Sequence, residues 1–175
     1  RNNINKNYSK LHDWSIKNPE KFWNSIWDFS KVKGKKNEKF YKSKELFKNR
    51  FFINSKLNFA ENLLSKKDNS KAITFINENG YKEIRKWNEL NLNVEKISFY
   101  LKKINIKEKD RVAAYLPNLI ETVESFLATV SIGAIWSSCS PDFGVNGVIE
   151  RFAQIKPKVL ILCDRDYYNG KQINV

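Results

Sequence analysis

Two stretches carry side chains that could do chemistry. Ser137-Ser138-Cys139-Ser140-Pro141-Asp142-Phe143-Gly144 concentrates hydroxyls, a thiol and a carboxylate between a short apolar run and an amphipathic run. At such a strand-to-helix passage, backbone N–H groups near Gly144 could face an anionic ligand. An ordinary turn with Asp142 as the helix N-cap explains the same residues, and the spacing leaves both readings open. Asp164–Lys171 (DRDYYNGK) is the second stretch. Arg165 and Lys171 could hold a phosphate while the tyrosines stack on a base, or the segment could be a polar turn closed by Asn169-Gly170. Cys139 sits where a nucleophile could sit, although a buried thiol in an apolar run is more often a packing group. The single histidine, His12, lies far away on an N-terminal helical pattern, so nothing places a base beside that thiol. No GxGxxG, Walker loop, CxxC or HExxH is present, and no cluster has metal-ligand spacing.

The elements that must position these stretches lie in residues 110–164. Three apolar runs, Arg111–Leu116, Ala134–Ser138 and Lys158–Cys163, are short and rich in Val, Ile, Leu and Ala, as strands buried on both faces are. Between them Leu119, Val123, Phe126, Leu127 and Val130, then Val145, Val148, Ile149 and Phe152, recur at helical spacing. The order β-α-β-α-β with short connections predicts parallel strands joined by right-handed crossovers, part of a three-layer α/β subdomain. Ligands of such sheets bind beyond the carboxyl ends of the strands. Those ends are Leu116-Pro117-Asn118, residues 138–142, and Asp164 onward.

Helices and a hairpin precede this unit. The spacing predicts a helix over 7–17 with Leu11, Trp14 and Ser15 on one side. A second follows to Phe29, capped by Asn18, with Pro19 in its first turn. Its face of Phe22, Trp23, Ile26, Trp27 and Phe29 reads as packing rather than a stacking platform. Residues 30–48 read as an extended basic connection. Asn58 is expected to cap a short helix through Leu64. Ala72–Asn77 and Tyr81–Arg85 read as strands of a hairpin around Asn79-Gly80. Asn88 is expected to cap a helix over 89–104, with Leu90, Val94, Ile97, Tyr100, Leu101 and Ile104 inward. The division expected from this reading is 1–70 as an N-terminal helical and extended segment and 71–175 as a second domain.

With 175 residues, 41% of them hydrophobic, the chain can bury a core. No membrane span or signal peptide is visible, and two cysteines form no disulfide framework, which points to a cytoplasmic setting. The net charge of +13 comes from lysines in ones and twos rather than a basic block. A solvated surface explains it better than nucleic-acid binding. There is no methionine, and the sequence opens in polar residues and closes just after a strand, so a piece of a longer protein is expected.

NPEKFWNSIWDF (18–29), KLNFAENLL (56–64), the run from Asp110 to Leu160 and DYYNGK (166–171) resemble the N-terminal region of the adenylate-forming acyl-CoA synthetases. WSSCSPDFG with DYYNGK is closest to their acetoacetate branch. The resemblance covers nearly the whole chain. It implies a ligase that uses ATP, Mg2+ and coenzyme A, with acetoacetate as the acid and no nucleic-acid or membrane partner. It makes residues 71–175 the start of the AMP-binding domain. The catalytic motifs of the family are expected beyond Val175, so no catalytic and no metal-binding residue is assigned here. What is carried over is a coenzyme A site: Lys171 at a basic position for the 3′-phosphate, Tyr168 where relatives have a second basic residue, and Ser140, Pro141 and Asp142 beside the pantetheine arm. The alternatives are a synthetase for another short acid such as acetate or propionate, or a basic binding module without chemistry.

Overall fold

The computed structural model describes residues 7–175, which form two units, 7–57 and 58–175. In the first, α1 (Tyr8–Lys17) is capped by the Asn7 side chain, which accepts from Ser9 N at 2.9 Å. Helix α2 (Pro19–Phe29) starts with Pro19 in its first turn, but Asn18 does not cap it with its side chain. The Asn18 amide instead donates back to Trp14 O at 3.1 Å, beside its own N–H at 2.9 Å, and so closes α1. Trp27 of α2 is buried and its ring lies 4.8 Å from Phe52, while Trp23 meets Phe51 at 5.6 Å. The aromatic face is therefore packing, although Phe29 points away from it, 85% exposed. Residues 30–57 are largely irregular, with a 3₁₀ turn at Leu46–Lys48 and bridges Lys35–Lys56 and Tyr41–Arg50. Gly34 is required there, because a Cβ would stand 2.5 Å from Lys56 O.

The second unit opens with α3 (Phe59–Leu63), capped by Asn58 as the sequence predicts. Strands β1 (Lys71–Ile76) and β2 (Lys82–Lys86) form the expected antiparallel hairpin. Its connection is not the two-residue turn that Asn-Gly suggests. Gly80 N bonds to Asn77 O at 3.1 Å and Asn77 N to Tyr81 O at 3.0 Å, so the loop spans three residues with only Gly80 left-handed (φ 76°). The Asn77 carboxamide fixes that loop by accepting from Asn79 N and Tyr81 N.

Helix α4 (Trp87–Lys103) begins earlier than Asn88 predicts. Trp87 N and Asn88 N donate to Ser70 O and Asp68 O, which satisfies the first turn from the preceding loop. The Glu89 carboxylate accepts from Lys86 N at 2.9 Å. Leu90, Val94 and Leu101 are buried, whereas Tyr100, assigned to the same face, is exposed. The helix buries Asn91 instead, its amide held by Lys66 O and Trp87 O.

Then follow β3 (Arg111–Tyr115), α5 (Ile120–Ser131), β4 (Ile135–Cys139), α6 (Val145–Ile155) and β5 (Val159–Leu162). The three strands are parallel in the order β4-β3-β5. This is the α/β class and the β-α-β-α-β unit that the apolar runs predict. Its central strand is the one buried on both faces: Val112, Ala113 and Ala114 are fully enclosed. Val112, Val159 and Ile161 face Leu90, Val94, Leu101 and Leu127 of α4 and α5. Ala113, Tyr115 and Cys139 face Val148, Phe152 and Ile155 of α6. The flanking strands depart from the expectation, since Leu160 and Leu162 of β5 and Ile135 of β4 are exposed. Val145 and Ile149 of α6 are exposed too, so α6 covers the sheet mainly through Val148 and Phe152.

After β5 the chain makes a second hairpin, β6 (Arg165–Tyr168) and β7 (Lys171–Asn174). Asn169 (φ 52°) and Gly170 (φ 71°) both adopt left-handed backbone, as a two-residue turn of this type needs. The polar-turn reading of 164–171 becomes a paired element.

Candidate functional site

The carboxyl ends of all three parallel strands open on one cavity of about 460 Å³ in the second unit. Pro117, Asn118 and Leu119 enter it after β3, Ser140 and Asp142 after β4, and Arg165, Asp166 and Tyr167 after β5. These are the three ends that strand order alone marks as ligand-facing. The remaining wall is Phe75–Glu78 and Tyr81, from the first hairpin. Sequence reasoning missed that wall. The Asn-Gly signal locates a turn but not which end of a sheet the turn overhangs.

The Ser140–Gly144 loop is held in a defined shape. Phe143 N bonds to Ser140 O at 3.1 Å, closing a turn, and Ser140 Oγ donates to Asp142 Oδ2 at 2.8 Å. Asp142 therefore does not cap α6; Gly144 occupies the N-cap position, with no side-chain bond to the helix. Pro141 is not on the cavity wall. Its carbonyl and that of Phe143 each lie 2.9 Å from the Tyr115 hydroxyl. The Arg151 guanidinium covers the Phe143 ring at 4.3 Å from its centre.

Lys171 opens β7 opposite Tyr168 and next to the left-handed turn, exposed and off the cavity wall. The Tyr168 backbone pairs with it, while the Tyr168 side chain lies outside the described residues. Gly170 N donates to Glu78 Oε2 at 3.2 Å, so the tip of the second hairpin touches the loop of the first. Arg165 reaches the cavity and stands 3.5 Å from Asp164 Oδ2. The structure thus brings Ser140, Asp142 and Arg165 to one space and places Lys171 on the hairpin at its side.

Elsewhere the expected chemistry does not assemble. Cys139 is buried against Ala113 and Phe152, as a packing group. Cys163 is free, and burial pushes its thiol above the usual range, away from thiolate character. His12 stacks on Tyr8 in the first unit. Among the described residues no three His, Cys, Asp or Glu side chains gather as a metal site, and no helix is long and apolar enough to cross a membrane.

The sequence model of the family described as AMP-binding enzyme matches residues 61–174, and that of the acetyl-coenzyme A synthetase N-terminus matches residues 8–63. An acetoacetyl-coenzyme A synthetase of Rhizobium meliloti is 44% identical over 96% of the chain and 26% of its own length. An acetoacetyl-CoA synthetase of Xenopus tropicalis is 43% identical over 98% and 27%. Among solved structures, acetoacetyl-CoA synthetase from Streptomyces lividans superposes with a TM-score of 0.87 at 30% identity, over 97% of this chain and 27% of that one. The chain spans about a quarter of the length of the curated relatives it matches.

Proposed function

The chain belongs to the AMP-binding enzyme family, and we propose that it is the N-terminal part of an AMP-forming ligase that joins acetoacetate to coenzyme A. The observation that carries this is identity above 40%, across nearly all of the chain, to proteins named for that reaction. In the proposed reaction an acetoacetate oxygen attacks the α-phosphorus of ATP and pyrophosphate leaves. The coenzyme A thiolate then attacks the acyl carbon of the mixed anhydride, forming the thioester as AMP leaves. Mg2+ would neutralise phosphate charge in the first step. The described residues offer it no cluster of ligands, so it is assigned no residue in this chain.

In this reading the chain contributes scaffold and one wall of the coenzyme A site, with residues 71–175 as the first part of the adenylation domain and a cytoplasmic, reducing setting. The loop Ser140-Pro141-Asp142 flanks the pantetheine arm, and Lys171 with Tyr168 stands at the 3′-phosphate. Several features support it: a cavity at the strand ends, a shaped loop after β4, and a cation displayed on a tight hairpin. Among acids, identity to named relatives favours acetoacetate over acetate or propionate.

The test is the complete ligase assayed in two halves, adenylate formation by ATP–pyrophosphate exchange and thioester formation from coenzyme A. Acetoacetate should support both. Lys171→Ala should raise the KM for coenzyme A about three- to thirtyfold, below the full worth of a charge-assisted bond because Lys171 is exposed, and leave the exchange reaction unchanged. An unchanged KM removes Lys171 from the site, and acetate outrunning acetoacetate overturns the choice of acid.

A further inference from the structure

Tyr115 is the last residue of the central strand, opposite Cys139 on one side and Leu162 on the other. It packs against the cluster of Ala113, Cys139 and Phe152, as do Val148 and Ile155 of α6. Its hydroxyl is 2.9 Å from Pro141 O and 2.9 Å from Phe143 O. A phenol has one proton, so two carbonyls of one short loop converge on a single donor. The loop is thereby two-sided: its carbonyls at 141 and 143 turn toward the strand, while Ser140 and Asp142 line the cavity. Tyr115 does not line that cavity. The other restraints on the loop are the Phe143 N–Ser140 O turn and the Ser140–Asp142 bond, both within it, and the Arg151–Phe143 contact from α6. Among the described residues, the Tyr115 hydroxyl is the side-chain group that ties the loop to the central strand.

We infer that Tyr115 is a positioning residue: by donating to the carbonyls of Pro141 and Phe143 it sets where the Ser140–Asp142 wall stands, and hence how the thiol-bearing arm is received. This rests on the coenzyme A reading above. Tyr115 touches no substrate, so its effect should be confined to the half-reaction in which the arm engages.

The experiment uses the complete ligase and four variants. Tyr115→Phe keeps the ring and its packing and removes only the hydroxyl. It should raise the KM for coenzyme A about three- to tenfold, the worth of one lost hydrogen bond. ATP–pyrophosphate exchange should change less than about twofold, the size expected of a group acting only through the loop. Pro141→Gly loosens the same loop from its own backbone and should raise that KM in the same half-reaction. The double variant should be less than additive, because both changes release one element. Lys171→Ala separates the two levels of the argument. If Lys171→Ala raises the KM for coenzyme A and Tyr115→Phe does not, the positioning role is wrong and the site stands. If neither moves it, the coenzyme A reading fails and takes this inference with it. If Tyr115→Phe slows both half-reactions equally, the hydroxyl is a general structural prop and the inference is overturned.

Discussion

The Arg85 guanidinium of β2 lies 2.9 Å from the Glu124 carboxylate of α5, and Glu124 is almost wholly buried. The contact is an ion pair more than a directed hydrogen bond, since the Arg85 Nε–H is not aimed at that oxygen. Asn93 of α4 donates to the same carboxylate at 2.9 Å, and Glu83 and Glu121 stand 3.1 and 3.7 Å from the guanidinium. One cation thus serves three carboxylates and joins the first hairpin, which walls the cavity, to the helices behind the sheet.

Removing that cation strands a buried charge. Burial raises the Glu124 carboxyl above its ordinary range, Asn93 and Arg85 pull it back, and Glu121 and Glu83 push it up again. For an acid whose folded value is raised, the ionised form is the one folding disfavours. The cost is absent while the group is protonated and grows as pH rises through the folded value. Arg85→Met should therefore cost about 2–3 kcal/mol at neutral pH, below the range for a fully enclosed pair because the guanidinium is partly exposed. The deficit should shrink as the pH falls from neutrality toward the ordinary 4.5 of a glutamate and Glu124 takes up its proton. Thermal melts of wild type and variant across that range check it, and a deficit independent of pH would rule out the stranded charge as its source.

Asp110 titrates in the opposite sense. It precedes β3, bonded to Lys158 Nζ at 2.7 Å and to Lys107 N at 2.8 Å, and these partners hold its carboxyl below the ordinary 3.8, Lys158 most strongly. A depressed folded value stabilises above the unfolded one and is lost as pH falls through the folded one. Asp110→Asn should lower the Tm at neutral pH, and the gap to wild type should close as the pH falls below 3.8. Melting curves on both sides of that value decide it; a gap that persists in acid would assign the loss to the amide's geometry instead of the charge.

What was legible in the sequence was whatever rests on periodicity or on residue-specific backbone geometry. Val112–Ala114 announce a strand because nothing polar interrupts them, and the strand order then fixes where a cavity opens. Asn79-Gly80 between two strand patterns announces a hairpin because few other residues tolerate left-handed backbone, whereas Asn169-Gly170 announces only a turn and the pairing of β6 with β7 was missed. The missed parts depend on partners distant in the chain. Asn88 looks like a cap, but Asp68 and Ser70 supply carbonyls that let α4 start sooner. Asp142 looks like a cap, but the Ser140 hydroxyl takes its carboxylate. Tyr115 reads as an apolar strand residue, and its reach to the carbonyls 26 and 28 positions away leaves no local trace.

Asn58 shows how one side chain can bind two elements. Its Oδ1 accepts from Glu61 N at 3.1 Å and caps α3, while its Nδ2 donates to Val130 O at 2.9 Å and Ser131 O at 3.2 Å. Those carbonyls belong to the last turn of α5, beyond the helix's own i+4 donors, where Val130 O also accepts from Gly133 N at 3.1 Å. Helix α3 has only five residues and could not persist on its own propensity, so the cap and the link to α5 together hold buried Ala60 against the core. Asn58→Ala loses both and should cost about 1–3 kcal/mol, more than a cap alone. Asn58→Asp keeps the acceptor but gives up the donor, and sets a carboxylate against the negative end of α5. It should therefore be no better than alanine, although aspartate is among the best caps in isolation. Chemical denaturation of the three proteins separates the roles: an aspartate variant as stable as wild type would mean that the link to α5 contributes nothing.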